Sequence, residues 1–320
     1  MAVYTTLEHA QLADWLTQYD LGDLITFEGI SSGIENSNFF ITMRCGSIDT
    51  RFVLTLFERL NHQQLPYYLG LMQHLASKAI PCPNPQVMRG GKMLGALGGK
   101  PAAIVNCLSG GWQLAPSLHH CSQIGDFLAA MHVGGADYNT VQANQRDFAW
   151  CKKAAQRVTP FLNDRLRALL SDEISAQTQF IASGNYANLP SGPIHGDLFC
   201  DNALFHGDRL SGVIDFYFAG NDKWIFDLAI SANDWCIDVA SGEFDLAKLT
   251  ALLNAYRLGR QLSTFEIAAW PFMTRAAALR FWLSRLDDWY SPRPASQLTP
   301  KDPTHFERIL LSRRNTPHTL

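Results

Sequence analysis

The stretch His195-Gly-Asp-Leu-Phe-Cys-Asp-Asn202, with Asp215 thirteen residues beyond it, constrains this chain more than any other segment. It reads H-x-D-x-x-x-x-N, then an Asp that closes the apolar run Leu210-Ser-Gly-Val-Ile-Asp215. That order and spacing suit phosphoryl transfer. One carboxylate, Asp197, takes or orients the proton of an attacking hydroxyl. An amide, Asn202, and a second carboxylate, Asp215, hold Mg²⁺ against nucleotide phosphates. The reaction asks for positioning and charge neutralisation, which hard oxygen ligands supply. The pattern alone is short enough to arise by chance, so its context carries the weight. Ile194 follows Gly192-Pro193 and leads straight in. Ala203-Leu-Phe-His206 predicts a short strand, Gly207-Asp208 a turn, and Leu210 to Ile214 a second strand ending at Asp215. The bland alternative is an Asx-rich turn before an ordinary hairpin, with His195 a satisfied core histidine. It requires order, spacing and context all to coincide.

Composition excludes several classes. At 320 residues the chain has room for two lobes. A hydrophobic share of 47% against 17% charged describes a folded chain rather than a disordered one. A net charge of −3 gives no basic field, which argues against nucleic acid as the main partner. No stretch approaches the roughly 20 apolar residues of a membrane span, and Met-Ala-Val-Tyr-Thr-Thr lacks a secretory pattern. Seven scattered cysteines, none in C-x-x-C, suggest reduced thiols rather than disulfides or a zinc site, and hence a cytoplasmic protein. Cys200 lies inside the motif, but phosphoryl transfer supported by a metal needs no thiol nucleophile.

Along the chain, residues 6–19 predict an amphipathic helix with Leu7, Leu12, Trp15 and Leu16 on one face. Residues 27–41 read as strand, turn, strand. Gly29 and Gly33 flank a polar turn with Ser32, followed by Asn36 and Asn38; such a turn can lie over nucleotide phosphates, where small residues permit close backbone approach. A plain glycine hairpin is the alternative, and the pattern is not G-x-G-x-x-G. Arg51 to Glu58 predicts a strong strand, and a helix follows over 64–78 until Pro81, Pro83 and Pro85 stop it. Ala102 to Leu108 is an apolar run ending at Ser109-Gly-Gly111. Helical patterns then fall at about 117–132, 147–158, 160–183, 225–235, 244–257, 264–286 and 303–312. Ser291-Pro-Arg-Pro294 reads as a loop, and the residues after Arg314 are expected to fray. A strand-rich first third and a helical remainder predict an α+β bilobal fold: a nucleotide-binding lobe over 1–108 and a catalytic, acceptor-binding lobe over 109–320, with nucleotide in the cleft.

Several segments together carry a family resemblance. Gly-Ile-Glu-Asn-Ser-Asn-Phe-Phe40, Val53-Leu-Thr-Leu-Phe-Glu58, Ile80-Pro-Cys-Pro83, His195-Gly-Asp-Leu…Asp-Asn202, Asp227-Leu-Ala-Ile…Asn-Asp-Trp-Cys236 and Arg275-Ala-Ala-Ala-Leu-Arg-Phe-Trp-Leu-Ser-Arg285 resemble bacterial homoserine kinases of the aminoglycoside/choline-kinase, protein-kinase-like superfamily. The catalytic segment is specific only to the superfamily. The Glu-Asn-Ser-Asn turn, the Asn-Asp-Trp-Cys segment and the late Arg-rich helix point to the homoserine-kinase branch. The resemblance implies transfer of the ATP γ-phosphate to the side-chain hydroxyl of L-homoserine with Mg²⁺, a step of threonine synthesis. It implies Asp197 as catalytic base and Asn202 and Asp215 as metal ligands. Another small-molecule hydroxyl kinase, acting on choline, an aminoglycoside or a sugar-like alcohol, is the nearest alternative. A non-catalytic nucleotide-binding regulator is a more distant one, which the intact Asp197, Asn202 and Asp215 set disfavours.

The sequence departs from the general kinase pattern in one strand. Thr55 stands where a nucleotide-pairing Lys is expected, and the helix near Leu65-Pro-Tyr-Tyr68 offers no obvious Glu partner. The nucleotide contacts expected of the first lobe are therefore Gly29, Ser32, Gly33, Asn36, Asn38 and Thr55. For the acceptor, a carboxylate calls for a two-point Arg contact. Arg275 and Arg280 are candidates and Arg285 follows, though a five-residue step turns them away from one shared face. Asp201 and Asp234 are candidates for the ammonium, with a capping role open for Asp234. Trp224, Trp235 and Trp282 read as core.

Overall fold

A computed structural model describes residues 5–30, 36–291 and 300–320. It divides into two compact units, one ending at Ser109 and the other beginning at Gly110. The architecture is α+β, with the strands of the largest sheet gathered in the first unit and most helices in the second.

The first unit is built on an antiparallel sheet. Its strands are β1 (Asp23–Gly29), β2 (Ser37–Cys45), β3 (Ile48–Leu56), β4 (Gly95–Leu97) and β5 (Lys100–Asn106), in the order β1-β2-β3-β5-β4. Burial alternates along β2, with Ser37, Phe39, Ile41 and Met43 turned inward, as a period of two requires for a half-buried sheet. Helix α1 (His9–Leu16) brings Leu12, Trp15 and Leu16 into the same core cluster as Phe39, Ile41, Leu54 and Ile104. The predicted helix 64–78 is α2 (Leu65–Ser77), with Pro66 in its first turn, where a missing N–H is harmless. In the register of β2 on β3, Asn38 sits opposite Thr55. Ser32 and Gly33 of the expected phosphate turn lie outside the described residues, as does the expected loop beyond Ser291.

The second unit contains α3 (Leu118–Gly135), α4 (Phe148–Val158), α5 (Asp164–Ile181), the short α6 (Gly184–Ala187), α7 (Trp224–Trp235), α8 (Leu246–Gly259), α9 (Thr264–Tyr290) and α10 (Thr304–Asn315). Two small antiparallel strand pairs are embedded among them. One pairs β7 (Ala203–His206) with β8 (Arg209–Val213), as the sequence predicts. The other pairs β6 (Ser191–Ile194) with β9 (Gly220–Lys223), strands that were not anticipated because Pro193 and the polar run Gly-Asn-Asp-Lys carry no strand signal. Trp235, Trp270, Trp282, Tyr256 and Phe306 are buried between the helices. Asn163 caps α5, so that helix starts later than its apolar pattern suggests. The expected fraying after Arg314 is corrected: His318 accepts a hydrogen bond from Trp270 Nε1 at 3.2 Å and packs edge-on against Phe244. No helix among the described residues is long and apolar enough to cross a membrane.

Candidate active site

The segment between β6 and β7 is irregular and largely buried, so its backbone polar groups need partners that no ladder supplies. Helix α7 supplies them from one face. Asp227 accepts from the backbone N–H of both His195 and Gly196, each at 2.8 Å. One turn on, Ser231 Oγ donates to the Leu198 carbonyl at 3.2 Å. Trp235 Nε1 donates to the same carbonyl at 3.1 Å. Asp234 accepts from Cys200 N–H at 2.8 Å, at the start of the 3-10 turn Cys200–Asn202. Steps of four, seven and eight residues share one face of an α-helix. The whole loop is therefore hung on a single helix.

Within the loop, His195 is fully buried and acts as a brace rather than a reactant. Its Nδ1 accepts from Asp197 N–H at 3.2 Å and its Nε2 donates to the Ile214 carbonyl at 2.9 Å. Burial lowers its pKa, which keeps the ring neutral and suits one donor and one acceptor. The Asn202 carbonyl accepts from Ile214 N–H at 2.9 Å. Asp197, Asn202 and Asp215 are thus tied to one another through Ile214. Gly196 takes φ +75°, and a Cβ there would stand 2.8 Å from the Phe218 carbonyl oxygen. Only glycine meets both conditions. Asp215 itself adopts the left-handed conformation, φ 64° and ψ 59°. Among residues with a Cβ, Asp and Asn tolerate that region best, and such strain concentrates at functional sites.

Asn202 Nδ2 donates to the Asp197 carbonyl at 2.8 Å and reaches its Oδ2 at 3.3 Å. This spends the amide's protons on the loop and leaves Oδ1 as the atom for a cation. With the Asp215 carboxylate on the strap after β8, the donor set is hard oxygen, which fits Mg²⁺. Asp197 is only 17% exposed, and Arg280 Nη1 lies 3.6 Å from its Oδ1. Burial pushes the Asp197 carboxyl up to about 7, against the opposing pull of Arg280, with Asp215 and Asp201 adding to the rise. A carboxylate tuned toward neutrality is suited to take a proton from an alcohol. Burial also pushes the Cys200 thiol up, so it has no thiolate character to offer.

Behind the loop stands a second tier. Asp227 is fully buried, and His132 Nε2 donates to it at 3.1 Å. Tyr256 OH donates to His132 Nδ1 at 2.8 Å, and Arg260 Nη1 donates to Tyr256 OH at 2.9 Å. Arg260 is ion-paired with Glu266 at 2.9 Å. Burial alone would raise Asp227, but the hydrogen bonds from His132 and the Gly196 amide hold it below the ordinary carboxylate range. Sequence reading assigned no role to Asp227 or His132. The available signal was a lone carboxylate in the otherwise apolar segment Trp224-Ile-Phe-Asp-Leu-Ala-Ile230.

The other candidates are placed as follows. Arg280 joins Asp197, its guanidinium 3.7 Å from the Phe281 ring centroid and 5.5 Å from that of Phe218. Arg275 does not join this group, which corrects its reading as a substrate arginine. It forks onto the buried Glu173 at 2.6 to 3.1 Å, because five residues turn a helix by about 140°. Arg285 donates to the Asp302 carbonyl at 2.9 Å. Asp201 pairs with Lys301 at 3.2 Å. Asp234 caps the turn Cys200–Asn202, its Oδ2 accepting from Cys200 N–H. In the first unit, Gly29 ends β1 opposite Phe39, Asn36 is buried, and Thr55 Oγ1 donates to Asn38 Oδ1 at 2.8 Å. A Lys–Glu pair does occur there, away from position 55: Lys100 Nζ lies 3.1 Å from Glu58, which also accepts from Ser37 and Thr5.

The chain matches the phosphotransferase enzyme family (APH) over residues 26–262. It is 54% identical over 317 residues to a homoserine kinase of Cupriavidus pinatubonensis, covering 98% of this chain and 96% of that one. It is 50% identical over 321 residues to a homoserine kinase of Paraburkholderia phytofirmans, covering 98% and 96%. Among solved structures, an amicoumacin kinase in complex with AMP-PNP and Ca²⁺ superposes with a TM-score of 0.71 over 97% of this chain and 95% of that one, at 13% identity, and so shares the fold. With relatives this similar over nearly its whole length, the chain belongs to the homoserine kinases of the phosphotransferase enzyme family.

Proposed function

We propose that this protein transfers the γ-phosphoryl group of ATP to the side-chain hydroxyl of L-homoserine, giving O-phospho-L-homoserine for threonine synthesis. The observation that carries this reading is the Asp197, Asn202 and Asp215 constellation, braced through His195 and Ile214 and hung on α7. Asp197 accepts the proton of the attacking hydroxyl, and its burial makes it a stronger base than an exposed carboxylate. Arg280, beside it, keeps the carboxylate oriented. Asn202 Oδ1 and Asp215 would hold Mg²⁺, which neutralises phosphate charge when bound. We place the reaction in the cytoplasm, where the seven free thiols of this chain stay reduced.

The test is a side-by-side assay of phosphoryl transfer from Mg-ATP to L-homoserine, choline and an aminoglycoside. L-homoserine should give the highest kcat/KM. Choline or the aminoglycoside outperforming it would overturn the acceptor assignment and leave the phosphotransferase intact. Titrating Mg²⁺ at fixed ATP should show a weakened metal dependence in both Asn202→Ala and Asp215→Ala, and an unchanged one would remove the metal-site assignment.

A further inference from the structure

Arg280 is a buried cation with donors to offer. Its side chain is 4% exposed, and burial brings its pKa down to about 10, which still leaves it charged at neutral pH. Among the described residues its guanidinium makes no hydrogen bond: Asp197 Oδ1, its ion-pair partner, stands 3.6 Å from Nη1. Its other contacts are ring faces, those of Phe281 and Phe218, with centroids 3.7 and 5.5 Å from the guanidinium carbon. Rings fix where a guanidinium sits but leave its N–H groups without conventional acceptors. A desolvated cation with unused donors costs stability, and a bound oxyanion relieves it.

Its surroundings narrow the choice of oxyanion. Asp197 turns Oδ2 toward Asn202, whose amide reaches it at 3.3 Å, and Oδ1 toward Arg280. The base therefore has an expected metal ligand at one oxygen and a guanidinium at the other. Phe218, which packs against that guanidinium, ends the 3-10 turn that Asp215, the second expected ligand, opens. Arg280 is thus tied to the base and to the strap that bears a metal ligand. The oxyanion that must come to this place in phosphoryl transfer is the γ-phosphoryl group itself. Its charge also wants a protein cation, and position 55 supplies none: Thr55 is neutral and bonded to Asn38.

We propose that Arg280 is a further catalytic residue, its guanidinium donating to nonbridging oxygens of the γ-phosphoryl group as that group passes from ATP to the acceptor. The proposal rests on the phosphotransfer reading above. In the step, the acceptor oxygen bonds to the γ-phosphorus and the hydroxyl proton moves to Asp197. The bond from that phosphorus to the oxygen it shares with the β-phosphate breaks, and ADP departs with the bonding pair. Negative charge is spread over the nonbridging oxygens and the leaving oxygen meanwhile. A guanidinium already desolvated and already held by rings meets that charge without reorganising, which is where a fixed donor stabilises a transition state most.

The experiment measures kcat and KM on the full-length enzyme with Mg-ATP and L-homoserine. Arg280→Ala should lower kcat roughly 10²- to 10³-fold, as loss of a donor to developing charge does, with KM for ATP and for L-homoserine within about threefold of the parent. An unchanged kcat overturns the proposal. So does a loss expressed in KM for L-homoserine alone, which would put Arg280 on the ground-state acceptor instead. A second arm removes the base. In the Asp197→Asn enzyme, adding Arg280→Ala should reduce the residual turnover at least roughly tenfold further. No further loss would mean that Arg280 acts only by orienting Asp197, and the proposal falls. If Arg280→Ala melts below assay temperature, Arg280→Lys is read in both arms in its place, since Lys keeps the charge and loses the planar fork. A fall in kcat of at least roughly tenfold in each arm supports the assignment, and a smaller one in either overturns it. Failure of the parent enzyme to phosphorylate any hydroxyl acceptor would sink the phosphotransfer reading itself, an outcome distinct from any pattern among the variants.

Discussion

The catalytic loop of the second unit and the β2–β3 pair of the first hold their candidate residues by opposite means. In the loop, backbone groups of His195, Gly196, Leu198 and Cys200 depend on side chains of α7 that are more than thirty residues away in sequence. In the sheet, Asn38 and Thr55 are placed by a backbone ladder and add one side-chain hydrogen bond to each other. A loop pinned by side chains transmits single substitutions, whereas a ladder made of backbone absorbs them. Asp215, on the strap after β8 that Ile214 ties to this loop, can likewise keep a left-handed conformation because its surroundings over-determine it.

The largest test of this contrast is Asp227→Ala. It removes one carboxylate from beneath two backbone N–H groups and a buried histidine, and should cost about 3 kcal/mol of stability or more, since three buried donors lose their acceptor at about 1–3 kcal/mol each. Urea unfolding would show it, and a loss under about 1 kcal/mol would mean that the loop is not held from α7. Next comes Asp197→Asn, which should leave the melting temperature near that of the parent while reducing kcat roughly 10²-fold or more, as loss of a general base does. Near-normal turnover would remove Asp197 as the base.

A smaller effect concerns pH. His132 is buried, and its pKa is lowered from 6.5 first by desolvation, with Asp227 opposing. The unfolded chain takes up a proton as pH falls below 6.5 while the folded chain resists it, so folding stability declines on acidification through that range. Asp227, held low in the fold, acts in the same direction at lower pH. Denaturation midpoints at a series of pH values should fall more steeply below 6.5 for the parent than for His132→Gln; identical slopes would contradict a buried neutral His132. Smallest of all is Thr55→Ala. One neutral hydrogen bond in a ladder should cost about 1 kcal/mol and less than roughly tenfold in kcat. A loss beyond roughly 10³-fold with normal stability would show that the hydroxyl carries phosphate-binding work usually done by a Lys.

Much of this was legible in the sequence because its signals are local. Periodicity located α1, α2 and the helices of the second unit other than the short α6, and the motif spacing picked out Asp197, Asn202 and Asp215, which the fold ties together through Ile214. The β6–β9 pairing was not legible, since a Pro and a polar run disguise strands whose pairing is decided elsewhere. Nor was the dependence of the loop on Asp227 and His132, because hydrogen bonds between residues 32 and 95 positions apart leave no periodic trace. Arg275 and Arg280 looked equivalent as arginines; only the helix rotation separated the one that braces Glu173 from the one that reaches Asp197.

The spacing of the anchors on α7 amounts to a fixed ruler laid against the loop. Asp227, Ser231 and Asp234 match three successive points along residues 195–200, with Trp235 adding a second bond at Leu198, so the helix interval and the loop interval must keep the same measure. Inserting one residue anywhere between Asp227 and Asp234 would swing the distal marks by about 100° and leave half the loop without anchors, even if every original side chain survived. Chains built on this plan should therefore vary freely in what the outer face of α7 displays, and hardly at all in how many residues separate its first anchor from its last.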